Sequence, residues 1–309
     1  MTGPEPLTFG TVVVGVDGRE GGRDALALAG RLAALAGGDV VAVRVIPYDY
    51  YVGRGRGAGT AIVEADARAE LVAALAAAGI VGRARVVFDS SPARSLHRIA
   101  EAEDAGLVVV GSTHHGRIGR VLAGDDAAAT VCAASCPVAV APPGLAGRER
   151  TTIARIGVGF DGRPEAHQAL ALAAEVARRC GATVTVRSVV AAPPGDEVSD
   201  VYDEAWLGRM TAAAAKDMRD TLDNLGAFVS GEVVAGIPVR ELARFSESVD
   251  LLVVGSRGWG PVRRILLGST AAHLLREAKC PLLVLPRGAA TGEPGERDPG
   301  VPTARAGRP

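Results

Sequence analysis

Ten short runs of aliphatic, mostly β-branched residues punctuate the chain, separated by longer stretches rich in Ala, Leu and charged side chains. The first five runs are Thr11–Val16, Val40–Ile46, Arg83–Phe88, Leu107–Gly111 and Val138–Ala141. The second five are Ile153–Phe160, Thr183–Val190, Ala227–Val234, Leu251–Gly255 and Leu282–Leu285. Apolar residues within each run are continuous rather than alternating, the pattern of strands covered on both faces. Helical spacing occupies the intervals, at Arg23–Ala36, Ala61–Ala78, Ala93–Ala102 and Asp125–Ala134 in the first half. Strands separated by single helices are βαβ units, so the order predicts α/β architecture with mostly parallel, doubly wound sheets. Such sheets bind ligands at the carboxyl ends of their strands, beside the point where strand order reverses.

The same unit occurs twice. Val14-Gly15-Val16-Asp17-Gly18 returns as Val158-Gly159-Phe160-Asp161-Gly162, Val110-Gly111-Ser112 as Val254-Gly255-Ser256, and Cys136-Pro137 as Cys280-Pro281, each 144 residues later. Mid-unit the register slips by two, aligning Pro92, Arg94 and Leu96 with Pro238, Arg240 and Leu242. Units of this size are domains rather than solenoid repeats. The expected organisation is an N-terminal extension (1–9), a first domain (10–142), a Pro/Gly/charge-rich linker (143–151), a second domain (152–286) and a disordered tail (287–309).

Composition narrows the partners. The 309 residues are 48% hydrophobic but only 4% aromatic, which predicts cores of Val, Leu and Ala with closely packed helices. A net charge of −1 leaves no electrostatic footprint for nucleic acid. No apolar run reaches the roughly 18 residues needed to span a bilayer, and the first residues show no signal peptide. Cys132, Cys136, Cys180 and Cys280 fit reduced thiols in cytoplasm, with Cys136 and Cys280 as packing residues before a strand.

Candidate chemistry concentrates after the fourth run of the second half. Gly255-x2-Gly258-x9-Gly268-Ser269 follows the buried strand 251–255 and ends where a helix opens. Glycines let backbone N–H groups approach an anion closely, and a helix start offers unpaired donors at the favourable end of its dipole. Ser269 at the cap position supplies a hydroxyl for a phosphate oxygen or for the helix itself. The spacing therefore suits a polyphosphate, although glycines also serve tight loops, and Asp161 also suits a plain turn.

The aspartate turn after strand one, the glycine motif after strand four and the closing Cys-Pro-Leu-Leu-Val strand together resemble the universal stress protein family, over about residues 10–142 and 152–286. The resemblance implies tandem five-stranded, Rossmann-like parallel-sheet domains, ATP binding, a role as a nucleotide-dependent regulator or sensor in the stress response, and association through the last strand. Carried over by position, Asp161 would contact ribose or adenine, Val189 would offer backbone groups to adenine, and Gly255, Gly258, Gly268 and Ser269 would hold the triphosphate. Gly159, Val254, Ser256, Arg257 and Thr270 flank these positions and complete the set. Mg²⁺ is expected with the ATP. A duplicated chain implies an intrachain pseudo-dimer, with further homo-oligomers and a protein partner left open.

The first half keeps Gly15, Asp17, Val45, Gly111 and Gly124 but departs elsewhere. His114 stands where Gly258 does, and Asp125-Asp126 replaces Ser269-Thr270. Two unit charges near 4 Å interact by about 4 kcal/mol at an effective dielectric of 20, against roughly 1 kcal/mol from a helix dipole. The first half is therefore expected to bind ATP weakly or not at all. Nucleotide-free assembly and slow ATP hydrolysis are the alternatives; the lack of a general base in the loop argues against fast hydrolysis.

Three decoys are set aside. Gly157-x-Gly159-x-x-Gly162 matches a dinucleotide fingerprint, but Val13 replaces the first glycine in the other copy and strand two ends without an acid for the ribose. His114-His115 with Asp125-Asp126 reads as a capped helix beside a loop rather than a metal site. Cys132 and Cys136, four apart on one helix, have no second pair to complete a zinc site.

Overall fold

The computed structural model describes residues 9–47, 58–112, 125–148, 152–192, 204–256 and 268–286. The first half runs β1 (Thr11–Gly15), α1 (Glu20–Ala36), β2 (Asp39–Ile46), α2 (Ala58–Ala78), β3 (Gly82–Phe88), α3 (Pro92–Ala102), β4 (Ala105–Gly111), α4 (Asp125–Ala133) and β5 (Val138–Ala141). The second runs β6 (Arg155–Phe160), α5 (Pro164–Cys180), β7 (Thr183–Ala191), α6 (Glu204–Leu222), β8 (Val229–Gly236), α7 (Pro238–Phe245), β9 (Leu251–Gly255), α8 (Ser269–Glu277) and β10 (Leu282–Leu285). Every predicted strand is present, displaced by two residues or fewer at most ends. Strand two of the second half continues past Val189 to Ala191.

All ten strands form one sheet, ordered β3-β2-β1-β4-β5-β10-β9-β6-β7-β8. Each half contributes five parallel strands whose order reverses between its first and fourth. The halves meet where β5 pairs with β10, the one antiparallel pair among the described strands, through Leu282↔Val140, Leu283↔Ala139 and Val284↔Val138. Ala139 and Leu283 are equivalent positions of the repeat, so a pseudo-two-fold axis passes through their pairing. All eight residues of these two strands are buried.

Helices cover both faces. α1, α2, α5 and α6 pack one apolar layer with Leu26, Leu71, Leu170 and Met218; α3, α4, α7 and α8 pack the other with Ile99, Val131, Phe245 and Leu274. Equivalent glycines end the first helix of each half: Gly37 (φ +71°) and Gly181 (φ +68°) take the left-handed conformation that a Cβ disfavours.

Two buried or half-buried carboxylates tie connections to this frame. Asp24, on α1 and 2% exposed, accepts hydrogen bonds from the backbone N–H groups of Gly144 (2.8 Å) and Ala146 (2.7 Å), holding the segment after β5 against the first half. Leu145 between them is buried. Asp250, before β9, accepts from the N–H groups of Ala154 and Arg155 and pairs with the Arg155 guanidinium at 2.9 Å. Burial pushes the Asp250 carboxyl up, but the Arg155 side chain and the two N–H groups outweigh it and hold it below the ordinary value of 3.8.

Asp24→Ala removes two charge-assisted bonds from a dry site and should lower unfolding free energy by about 2–4 kcal/mol in urea denaturation, with Asn recovering only part. Asp250 has a lowered folded-state value, so its contribution is complete above the unfolded value of 3.8 and disappears as pH falls through the folded value. Asp250→Ala should therefore cost stability at neutral pH and flatten the acid limb of the thermal-stability profile.

Candidate functional site

In the second half the strand order reverses between β6 and β9, and a cavity of about 230 Å³ opens at their carboxyl ends. Gly159, Asp161, Val189, Val254, Gly255, Ser256, Gly268 and Thr270 line it. Sequence positions as far apart as 159 and 270 thus converge because parallel strands end on one edge. Arg257 and Gly258, with Trp259, Arg263 and Arg264, lie outside the described residues.

Each wall has a local cause. Asp161 turns its carboxylate back to the N–H of Arg163 at 3.2 Å, so it shapes the β6–α5 turn while remaining half-exposed to the cavity. On the opposite wall β7 outruns β6: the last β6–β7 pair is Phe160↔Ser188, while β7 continues beside β8 to Ala191. The β6-facing edge of Val189 therefore has no strand partner among the described residues and borders the cavity. At the floor, Ser256 is 2% exposed and its Oγ has no hydrogen-bond partner among the described residues. A buried hydroxyl left unpaired costs about 1–3 kcal/mol, which a ligand oxygen would recover.

The glycines divide by cause. A Cβ on Gly255 would lie 2.8 Å from the Glu165 backbone, so this glycine is demanded by the approach of α5 to the end of β9. Gly268 is different. It is the N-cap of α8 with φ −63° and ψ 153°, a conformation open to any residue, so nothing in its backbone requires glycine. The cap is thus Gly268 and not Ser269, which begins the helix, is exposed and does not line the cavity. The rejected dinucleotide pattern also resolves into packing: a Cβ on Gly157 would meet the Phe245 ring at 2.8 Å.

Sequence reasoning missed four charged or flanking residues here. Arg163, Glu165 and Arg187 line the cavity, as does Pro238 at the start of α7. The Arg187 guanidinium lies 4.2 Å from the Phe245 ring centroid and pairs with Glu232 at 2.6 Å. A lone arginine in the apolar strand 183–191 was the available signal.

The first half repeats the crevice in reduced form. Gly15, Asp17, Val45 and Gly111 line a cavity of about 120 Å³, while Gly124 and His114 lie outside the described residues. Gly21 and Gly22 replace Glu165 and Ala166 at the opening of the first helix, and a Cβ on Gly111 would sit 1.9 Å from the Gly21 carbonyl oxygen. α1 therefore presses closer to β4 than α5 does to β9. Val43 replaces Arg187, and Ser112 Oγ, like Ser256 Oγ, is buried with no hydrogen-bond partner among the described residues.

The thiols lie apart from these crevices. Burial pushes the Cys136 thiol up to about 11 and Cys280 up to about 12, which keeps both protonated. Cys136 follows the end of α4 rather than lying on it, so the expected helical pair with Cys132 does not form. Among the described residues no cluster of three or more His, Cys, Asp or Glu is placed to hold a metal, and no helix is long and apolar enough to cross a membrane.

Two duplicated, doubly wound α/β units with a crevice at each switch point define the class. The universal stress protein family model matches residues 8–142 and again 152–286. A universal stress protein of Mycobacterium tuberculosis is 33% identical over 207 residues, covering 65% of this chain and 68% of the relative. A universal stress protein structure from Archaeoglobus fulgidus superposes with a TM-score of 0.67 at 19% identity, covering 90% of this chain and 98% of that one. A second, from Pseudomonas aeruginosa, gives 0.62 at 16% identity, covering 89% and 93%. The chain belongs to the universal stress protein family, as a tandem two-domain member.

Because Gly255 answers to packing, Gly255→Ala should lower the melting temperature of the nucleotide-free protein by several degrees, the effect of about 1–3 kcal/mol of overpacking. An unchanged melting curve would show that α5 does not press on β9 as described.

Proposed function

We propose that the second half binds ATP and that occupancy of this crevice is the signal the protein carries, making it a nucleotide-dependent regulator or sensor rather than a turnover enzyme. The observation that carries the reading is the convergence at one cavity of three complementary features. The backbone edge at Val189 suits the base, Asp161 the ribose or base, and the N-cap of α8 at Gly268 with Ser256 beneath it suits the phosphates. Arg257, Gly258, Ser269 and Thr270 belong to the same assignment through the motif. Mg²⁺, when bound with the nucleotide, would neutralise phosphate charge; no described carboxylate cluster is dedicated to it.

The first half carries the nucleotide-independent reading. Its cavity is about half the volume of the other, α4 opens with Asp125-Asp126, and His114 replaces a motif glycine. Carboxylates at a helix start occupy the end of the dipole a phosphate would need. This half serves assembly, while the other senses.

Isothermal titration should give one ATP site per chain, and mass spectrometry of gently purified protein should find adenine nucleotide. Gly268→Ser keeps a good N-cap residue in an accessible conformation but adds a side chain where a phosphate would lie. It should weaken ATP by about 1.5–3 kcal/mol, tenfold or more, with the melting temperature of the free protein unchanged. Two equal sites, or full affinity in this variant, would end the proposal.

A further inference from the structure

The crevice of the second half carries a cation at a place where its counterpart has an aliphatic side chain. Arg187, Val189 and Ala191 alternate along β7, so their side chains share one face, and all three line the cavity. In the first half the position of Arg187 belongs to Val43, which is buried and lines the smaller cavity. Valine thus satisfies the packing of the shared unit here. A guanidinium in its place costs desolvation that packing does not require.

The Arg187 side chain is held in a defined position. Its Cζ lies 4.2 Å from the centroid of the Phe245 ring. That ring sits close against β6 because residue 157 is glycine, where a Cβ would come within 2.8 Å of it. Nε and Nη2 meet Glu232 Oε1 at 2.7 and 2.6 Å, and Nη1 reaches the Glu241 carbonyl at 3.4 Å. Each Nη carries two hydrogens. These contacts take one from each, so both keep a second donor beside the cavity.

The strand order decides which part of a ligand this donor serves. The sheet runs β9-β6-β7, so Arg187 stands two strands from the end of β9, roughly 10 Å at about 4.8 Å per strand. Phosphates over Ser256 and the α8 N-cap lie at the far end of the cavity, which leaves the base at the β7 end. Adenine offers ring nitrogens as acceptors and its 6-amino group as a donor, and a guanidinium can only donate. Resting on the ATP reading above, we infer that Arg187 is a base-recognition residue, donating a hydrogen bond from Nη to a ring nitrogen of the adenine.

Titration calorimetry of the full chain with ATP and its 1-deaza, 3-deaza and 7-deaza analogues, each replacing one ring nitrogen by C–H, tests this. The wild-type chain should bind one of the three about tenfold more weakly than ATP. In Arg187→Val, which installs the first half's residue, ATP itself should weaken about tenfold and that analogue should bind as well as ATP, with circular dichroism unchanged. Arg187→Lys keeps the charge without the fixed planar donors and should recover only part of the affinity. ATP binding with no analogue penalty, penalties that all persist undiminished in Arg187→Val, or wild-type ATP affinity in that variant would each overturn the role of Arg187 while leaving the ATP site standing. No binding of ATP by the wild-type chain would end both.

Discussion

The arrangement depends on the four-residue seam between β5 and β10. Its residues are buried, and the central pairing joins equivalent positions of the repeat. Antiparallel pairing there fuses two five-stranded sheets into one and makes the halves' carboxyl ends face opposite edges. The two crevices therefore open on opposite edges of the sheet, with β4, β5, β10 and β9 between them. The same symmetry places α1 and α5 on one face, where they contact each other over the seam. The fold thus gains a core that neither half has alone, since a four-residue strand of Val and Ala left at an edge would expose its apolar faces and unpaired backbone.

Within that symmetric frame, divergence at a helix start and in the segment after β5 reshapes the surroundings of the first crevice. Replacing Glu165-Ala166 by Gly21-Gly22 lets α1 approach β4 until Gly111 has no room for a Cβ. Volume lost from the first crevice is thereby coupled to packing. Asp24 illustrates the complementary device: one buried carboxylate captures two backbone N–H groups of the segment leaving β5, turning a Pro/Gly-rich connection into part of the first half's wall. Duplication followed by such local changes gives one chain a roomy crevice and a tight one.

The glycine motif shows why residue type alone underdetermines role. Gly255 and Gly268 belong to one spacing pattern, yet the first has its neighbour's backbone at 2.8 Å and the second has an ordinary extended conformation. The first is glycine because α5 packs against the end of β9. Ser269, read from its motif position as the cap, begins the helix instead, because Gly268 already supplies the extended residue that precedes it.

By itself, the sequence determined the ten strands, the repeat and the parallel winding, because continuous β-branched runs and a constant spacing are local properties of the chain. It also located the crevice edge, since in a doubly wound sheet the ends of strands one and four must lie together. What only tertiary structure decided were the distances between remote segments. The partners of Asp24, the stacking of Arg187 on Phe245 and the unequal volumes of the two crevices all depend on how closely helices settle on the sheet. That closeness is set by side-chain volume at contacts distant in sequence, which no local pattern encodes.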